Sequence, residues 1–239
     1  MRLFFLSIVA AILVAGFLLA SNQKAQNPIE QSVALWNDGT DAFYRQVLVS
    51  NGKWIESAGT PVFDNQPVVA LPTKPKPITD SAVLGSHIAA DGSEKWIEVD
   101  LSDLKLYAWE GNRKVYEFSV STGRPGYNTP TGEFRVWSKV RSQAYRGGSK
   151  ARGDYYYLPN VPYSLFFGGG NVPNWKGYAI HGAYWHNDFG IKNRSSGCVN
   201  VRPDEAEQLY NWAGPAMPTD VGSLNATDDN PSVRVVIHD

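Results

Sequence analysis

The sequence predicts a mostly β fold with helix at its periphery, and three features support this. Aromatic residues make up 13% of the 239 residues, with 22 Gly and 15 Pro. That composition favours strands and turns over helices. From Lys95 onward, polar and apolar residues alternate as in a strand. A run rich in β-branched residues, also typical of a strand, occupies residues 233–237.

The predicted strands follow one another closely. Residues 96–101 (WIEVDL) and 104–110 (LKLYAWE) alternate apolar and polar side chains. Residues 111–112 (Gly-Asn) are typical of a hairpin turn, and residues 116–120 continue the alternation on the return strand. Residues 121–137 then form a turn-rich connection into another strand.

One helix is predicted, over residues 203–213. Pro203 suits the first helical position, and Asp204 and Glu205 complement the positive end of the helix dipole. Apolar side chains then recur at i, i+3, i+4 and i+7 from Ala206, which predicts one buried stripe.

The first residues indicate export. Arg2 precedes an apolar run over residues 3–20, the pattern of an export signal. The run lies at the lower edge of the roughly 17–25 residues that span a bilayer. We therefore expect residues 1–20 to be a signal peptide or a membrane anchor. Residues 21–92 would follow as an extracytoplasmic segment, with a stiff Pro-rich spacer at 71–80.

Charge and cysteine content exclude several classes of partner. Lys and Arg number 22 against 23 Asp and Glu, so there is no overall case for binding nucleic acid. Cys198 is the single cysteine, which excludes an intramolecular disulfide and a metal site built on several thiolates. An unpaired cysteine in an exported protein is either an inert buried side chain or a reactive thiol.

The residues around Cys198 are those that a cysteine nucleophile would need. A cysteine nucleophile acts as the thiolate and needs a nearby base, which His181 can provide. His181 ends an apolar strand, and Gly182 after it leaves the imidazole room. Gly197 lets the backbone turn so that its own N–H and that of Cys198 face one point, as in an oxyanion hole. On the residues alone, acyl transfer and a structural cysteine both stay open.

A zinc site is the weaker alternative. His181, His186 and Asp188 offer suitable ligands, but their spacing matches no compact zinc motif. No metal is predicted.

A basic stretch leaves two further interpretations open. Residues 135–152 contain six Lys or Arg and no acidic residue. We expect either a solvated loop or a mobile basic flap over the cleft, one that attracts anionic wall components.

Several motifs together resemble the L,D-transpeptidase family. His-Gly at 181–182 followed by SSGCVN at 195–200 is similar to the family signature. Residues 96–123 are similar to the opening hairpin of the family's domain, and TPTGEF at 129–134 resembles its Thr-Pro-x-Gly turn. The resemblance covers residues 96–238.

The resemblance implies a fold and a reaction. The fold would be an L,D-transpeptidase-like β-sandwich or barrel with one or two peripheral helices, at residues 93–239. These enzymes cross-link bacterial peptidoglycan, so the protein would act at the outer face of the cytoplasmic membrane or in the cell wall. Only its N-terminal segment would touch the membrane. An L,D-carboxypeptidase and a non-catalytic peptidoglycan-binding module are the alternatives.

The resemblance also assigns roles. Cys198 would attack the third residue of a stem peptide and release the terminal D-alanine. The thioester would then pass to an acceptor amine, giving a third-to-third cross-link. His181 would be the base, and the Gly182 carbonyl would orient it. No cofactor is implied, and carbapenem-type β-lactams are the expected inhibitors.

The remaining expected site residues contact substrate. They are Tyr184, Trp185, His186, Ser195, Ser196 and Asn200. Ser196 departs from the commonest family pattern, which has a second histidine there. This departure leaves open how the loop before Cys198 is held.

Overall fold

The computed structural model describes residues 42–75 and 83–239. The predicted export segment, residues 1–20, and residues 76–80 of the Pro-rich spacer lie outside the described residues. Within the described part of the chain, no helix combines the length and apolarity needed to cross a bilayer.

The described elements are two α-helices, thirteen strands and one 3-10 turn. They are α1 Ala42–Leu48, β1 Val62–Phe63, β2 Gln66–Pro67, β3 Val83–Leu84, β4 Lys95–Asp100, β5 Lys105–Glu110, β6 Arg113–Ser119, β7 Gly132–Gly147, β8 Tyr156–Gly168, the 3-10 turn Asn174–Lys176, β9 Ala179–Gly182, β10 Val199–Val201, α2 Pro203–Trp212, β11 Met217–Pro218, β12 Ser223–Asn225 and β13 Arg234–His238.

Most strands form one large sheet. Its order is β10-β9-β8-β7-β13-β4-β5-β6, with β1 attached to β8 and β12 to β7. The pairs β9–β10 and β4–β13 are parallel, and the other pairs along this path are antiparallel. The sheet is open, since its order does not return from β6 to β10. The mostly β fold with peripheral helices is thus confirmed.

The hairpin predicted from alternation forms with its turn at residues 111–112. Ile97 and Val99 are fully buried, while Trp96 and Trp109 stack on the other face with ring centroids 5.7 Å apart. Helix α2 begins at Pro203 as predicted, and its stripe is buried.

The basic stretch is neither a solvated loop nor a flap, so both expectations for residues 135–152 were wrong. Most of it lies in β7, which pairs with β8 from residue 135 to residue 147. Only residues 148–155 connect the two strands. Four of the six basic residues are exposed along this strand and its connection, whereas the side chains of Lys139 and Arg141 turn inward and donate to backbone carbonyls.

Lys139 is the clearest example. Its side chain has no exposed surface, and Nζ donates to the carbonyls of Ala213 at 2.7 Å and Pro215 at 3.3 Å. The ring of Tyr210 lies 4.6 Å from Nζ. Burial lowers the pKa of Lys139 to about 7. The amine therefore ties the chain after α2 to the centre of β7.

The segment before the β4 hairpin packs on the sheet. Ile55 exchanges two hydrogen bonds of 2.9 Å with the Asn160 side chain, through its N–H and its carbonyl. Val47 is fully buried, and Phe43 meets Tyr145 edge-on with centroids 5.2 Å apart. One compact unit accordingly begins at Phe43 and continues to Asp239.

Replacing Lys139 by Met should destabilise the fold. The carbonyls of Ala213 and Pro215 would lose their buried donor, which costs about 1–3 kcal/mol of unfolding free energy. Urea unfolding measures this, with exposed Lys53→Met as the control. Since the folded state binds fewer protons at Lys139 than the unfolded state above about pH 7, the deficit should widen from pH 7 to pH 9. Equal stability of variant and wild type at both pH values would contradict this.

Candidate active site

Parallel pairing of β9 with β10 brings the side chains of His181 and Cys198 together. His181 is the third residue of β9, and Cys198 directly precedes β10. Asn200 lies opposite His181 in the register. Residues 183–198 therefore form a loop that leaves β9 and returns beside it, which places Cys198 near the imidazole.

Both side chains line one small cavity of about 50 Å³. The lining is mainly aromatic and aliphatic. It includes six residues expected from the sequence, His181, Trp185, Ser195, Ser196, Cys198 and Asn200, and four that are new, Phe63, Tyr145, Tyr156 and Leu158.

The imidazole of His181 is held on two sides. It is 2% exposed, with the Tyr145 ring edge-on at 4.9 Å and the Trp185 ring at 5.7 Å between centroids. Nδ1 lies 3.4 Å from the Gly182 carbonyl oxygen. When Nδ1–H donates to this carbonyl, Nε2 keeps the lone pair that accepts a proton. Burial lowers the pKa of His181 to about 4, so the ring is neutral at pH 7.

The thiol of Cys198 is also neutral at rest. Burial raises its pKa to about 11, and a hydrogen bond from the Ala179 backbone offsets part of that effect. Its Sγ lies 3.9 Å from the Gly177 carbonyl oxygen. The site therefore holds a neutral thiol beside a neutral imidazole at pH 7.

Gly182 does not line the cavity, and besides offering its carbonyl to His181 it allows close packing. A Cβ at this position would lie 2.9 Å from Pro162 Cγ and 3.1 Å from Pro203 Cα. Only glycine lets β9 approach β8 and the start of α2 so closely.

The turn before Cys198 is closed by Ser195. Gly197 has a φ of +115°, and its N–H donates to Ser195 Oγ at 3.0 Å. Ser195 Oγ in turn donates to the Cys198 carbonyl at 2.5 Å. The Gly197 N–H, one of the two expected oxyanion donors, is therefore directed to Ser195. The Cys198 N–H is the remaining candidate.

His186 does not line the cysteine cavity, and both of its ring nitrogens have partners. Its Nδ1 accepts the Asp188 N–H at 3.2 Å, and its Nε2 lies 2.8 Å from the Asn200 amide. With Nδ1 accepting, the neutral ring carries its hydrogen on Nε2 and donates it to Asn200, whose oxygen then faces the ring. That orientation also gives Asn200 Oδ1, otherwise unpartnered, a donor. Burial lowers the pKa of His186 to about 4.

The loop before Cys198 is tied down without a second histidine. Arg194 Nε donates to the Asp188 carboxylate at 2.6 Å, which closes residues 188–194. Thr122 Oγ1 donates to Asn193 Oδ1 at 2.9 Å, and Ser121 Oγ donates to the Lys192 carbonyl. Ser196 itself is exposed at the cavity rim. These contacts show how the loop is held where the family pattern has histidine.

Tyr184 and His186 line a neighbouring groove of about 330 Å³ instead of the cysteine cavity. The Tyr184 hydroxyl donates to the Pro159 carbonyl at 2.7 Å. Trp185 lines both spaces, and its indole N–H is buried without an acceptor among the protein atoms.

The four unexpected lining residues come from distant parts of the chain. Phe63 lies in β1, Tyr145 in β7, and Tyr156 and Leu158 in β8. No motif marks them, because their role depends on which strands pair.

Among residues 42–75 and 83–239, no three His, Cys, Asp or Glu side chains are grouped so that they could hold a metal. The two ring nitrogens of His186 already have partners.

The half-buried Cys198 and the buried His181 thus line one cavity at the edge where β9 and β10 pair. The family model described as the L,D-transpeptidase catalytic domain (YkuD) matches residues 94–234. The chain belongs to this family.

The chain is also similar to a curated relative and to solved structures. L,D-transpeptidase 1 of Mycobacterium tuberculosis is 30% identical over 106 residues, which cover 43% of this chain and 40% of that protein. An L,D-transpeptidase solved in complex with imipenem is 22% identical, with a TM-score of 0.47 over 62% of this chain and 60% of that one. L,D-transpeptidase 3 of M. tuberculosis, with a faropenem-derived adduct, is 23% identical, with a TM-score of 0.45 over 62% and 61%. The chain thus spans two fifths of the curated relative it matches.

Alkylation of Cys198 by iodoacetamide should accelerate with pH well into the alkaline range. Below a pKa of about 11 the thiolate fraction rises tenfold per pH unit, so the rate constant should rise about tenfold per unit from pH 7 to pH 10. N-acetylcysteine, the control, should level off near its ordinary pKa of about 8.5. A plateau for Cys198 at pH 9 or below would contradict a raised thiol pKa.

Gly197→Ala should disrupt the turn that carries Cys198. The new Cβ would lie 2.4 Å from Tyr178 Cε1, in addition to the cost of a positive φ. We expect at least a tenfold slower alkylation or acylation of Cys198. Gly126→Ala is the matched control, because Gly126 also has a positive φ (+83°) but has open space around its Cβ position. Equal rates in the two variants would show that the turn tolerates the displaced ring.

Proposed function

We propose that this protein is a peptidoglycan L,D-transpeptidase that acts through a Cys198 thioester. The observation that carries the proposal is the shared cavity of Cys198 and His181, inside a domain of the L,D-transpeptidase family. The neutral resting pair supports His181 as the base, since Nε2 is free to accept the thiol proton.

The first half-reaction forms the acyl-enzyme. Cys198 Sγ attacks the carbonyl carbon of the third stem-peptide residue while His181 Nε2 takes the thiol proton. The carbonyl oxygen becomes an oxyanion, for which the Cys198 N–H is the candidate donor. The C–N bond to the terminal D-alanine then breaks, and His181 returns its proton to the departing amine. A thioester on Cys198 remains.

The second half-reaction transfers the acyl group. An acceptor amine of a second stem attacks the thioester carbonyl, and His181 Nε2 takes a proton from that amine. The C–S bond breaks, and the sulfur regains its proton from His181. The product is a third-to-third cross-link, and the free enzyme is restored.

The cavity walls support transfer to an amine. Phe63, Trp185 and Leu158 surround the thiol with apolar surface, which limits water near the thioester. Ser196 and Asn200 are the polar lining residues we assign to substrate contact, and Ser195 acts through the Cys198 turn. The Gly182 carbonyl orients the His181 ring.

The N-terminal residues complete the proposal. Residues 1–20 would export the chain as a signal peptide or anchor, so that residues 93–239 reach peptidoglycan outside the cytoplasm. The segment at residues 43–75 would accompany the catalytic domain, because it packs on the same sheet.

A carbapenem tests the nucleophile directly. Relatives have been solved with imipenem and with a faropenem-derived adduct, and we expect imipenem to acylate Cys198 here too. Intact-mass measurement should show one drug adduct on the wild type and none on Cys198→Ala. His181→Ala should acylate about 10²–10⁴-fold more slowly, because it lacks the base. An adduct that persists in Cys198→Ala would refute the assignment.

Product analysis then decides between transfer and hydrolysis. The enzyme is incubated with disaccharide-tetrapeptide, and the products are separated by mass. A cross-linked dimer with loss of one D-alanine supports the L,D-transpeptidase. If the only product is a shortened tripeptide, the enzyme is an L,D-carboxypeptidase. If the substrate is unchanged, the result supports a non-catalytic peptidoglycan-binding module.

A further inference from the structure

The Cys198 cavity has one wall from outside the catalytic-domain match. Phe63 lies in the hairpin of β1 and β2, whereas the family match covers residues 94–234. Asp64 and Asn65 form the hairpin tip with φ of 50° and 61°. Two consecutive positive φ values are typical of the two-residue turn that suits a tight hairpin, and Asp and Asn tolerate them.

The hairpin is fastened to the sheet at several points. Its β1 strand pairs with β8, and its tip meets the connection between β7 and β8. The contacts are Val62 paired with Tyr157, Asn65 N–H to the Tyr155 carbonyl at 3.0 Å, Asn65 Nδ2 to the Lys150 carbonyl at 2.8 Å, and Asp64 with Arg124 at 3.6 Å. These attachments hold Phe63 in place as part of the wall.

The Phe63 ring stands between two spaces. It lines the cysteine cavity of about 50 Å³ and the adjacent groove of about 330 Å³. Trp185 is the other residue that lines both, and the two rings lie 6.1 Å apart at 39°. The pair therefore separates the thiol from the larger groove.

The small cavity limits what can approach the thiol. At roughly 10–15 Å³ per water, about 50 Å³ holds only a few water molecules. A slim acyl group can approach Sγ within that space, whereas a bulky substituent meets Phe63. Removing the ring would join the cavity to the groove.

We propose that Phe63 is a specificity-determining residue, whose ring restricts access to Cys198 to slim, extended acyl donors and excludes bulky ones. The proposal deepens the transpeptidase function above and rests on it. The residue acts by shape, since it offers no group to the reaction.

The single cysteine makes a clean test possible, because every maleimide adduct reports on Cys198. Rate constants are measured by mass for N-methylmaleimide and N-benzylmaleimide, which share one electrophile and differ in size. In the full-length wild type the small reagent should react much faster. Phe63→Ala should accelerate the bulky reagent at least tenfold and the small one less than threefold.

Further variants guard against a folding artefact. Phe63→Leu should give an intermediate size ratio, and Phe63→Trp should slow the bulky reagent further. Ile55→Ala is the matched control, because Ile55 belongs to the same N-terminal segment but lines a different depression, away from Cys198. It should keep the wild-type ratio. An unchanged ratio in Phe63→Ala and Phe63→Leu would overturn the proposal.

Imipenem separates the failure of this inference from the failure of the proposed function. If the wild type forms no imipenem adduct, the transpeptidase assignment fails, while the maleimide ratio still measures the wall. If imipenem reacts but the ratio of the two maleimide rate constants is the same in the wild type and the Phe63 variants, the assignment stands and the specificity role of Phe63 is refuted.

Discussion

The site depends on one pairing, the parallel ladder between β9 and β10. It places Asn200 opposite His181 and so leaves Cys198 at the same edge of the sheet as the imidazole. Parallel neighbours need a long connection, and residues 183–198 provide it. The loop is held by its own contacts, because the Asp188–Arg194 ion pair closes it and Ser195 hydrogen-bonds across its last turn. Without that ladder, no local feature would bring the Cys198 thiol and the His181 imidazole together.

Burial then sets the chemistry of the pair. The same apolar surroundings raise the pKa of the Cys198 thiol and lower that of the His181 imidazole, because each charged form loses its hydration. A preformed thiolate–imidazolium pair is therefore disfavoured, which is why the proposed mechanism moves the proton as the sulfur attacks. A neutral thiol is also less easily oxidised than a thiolate. That property would suit a lone cysteine if the chain is exported as proposed.

The segment ahead of the family's domain is part of the architecture. Phe43 packs on Tyr145, which in turn holds the His181 ring edge-on, and Phe63 closes the cavity beside Trp185. Two residues that belong to no recognisable motif therefore shape the surroundings of His181 and Cys198.

The sequence by itself determined the local features: the 95–119 hairpin, helix α2 from its proline and acidic start, and the Cys198–His181 pair from its motif. Periodicity, capping and residue chemistry act over short distances, so they are legible in one chain. The tertiary structure alone decided that residues 135–147 form a buried strand with Lys139 inside, that the Gly197 N–H is taken by Ser195, and that Phe63 walls the cavity. Those outcomes depend on contacts between residues far apart in sequence, whose partners only the pairing of the strands selects.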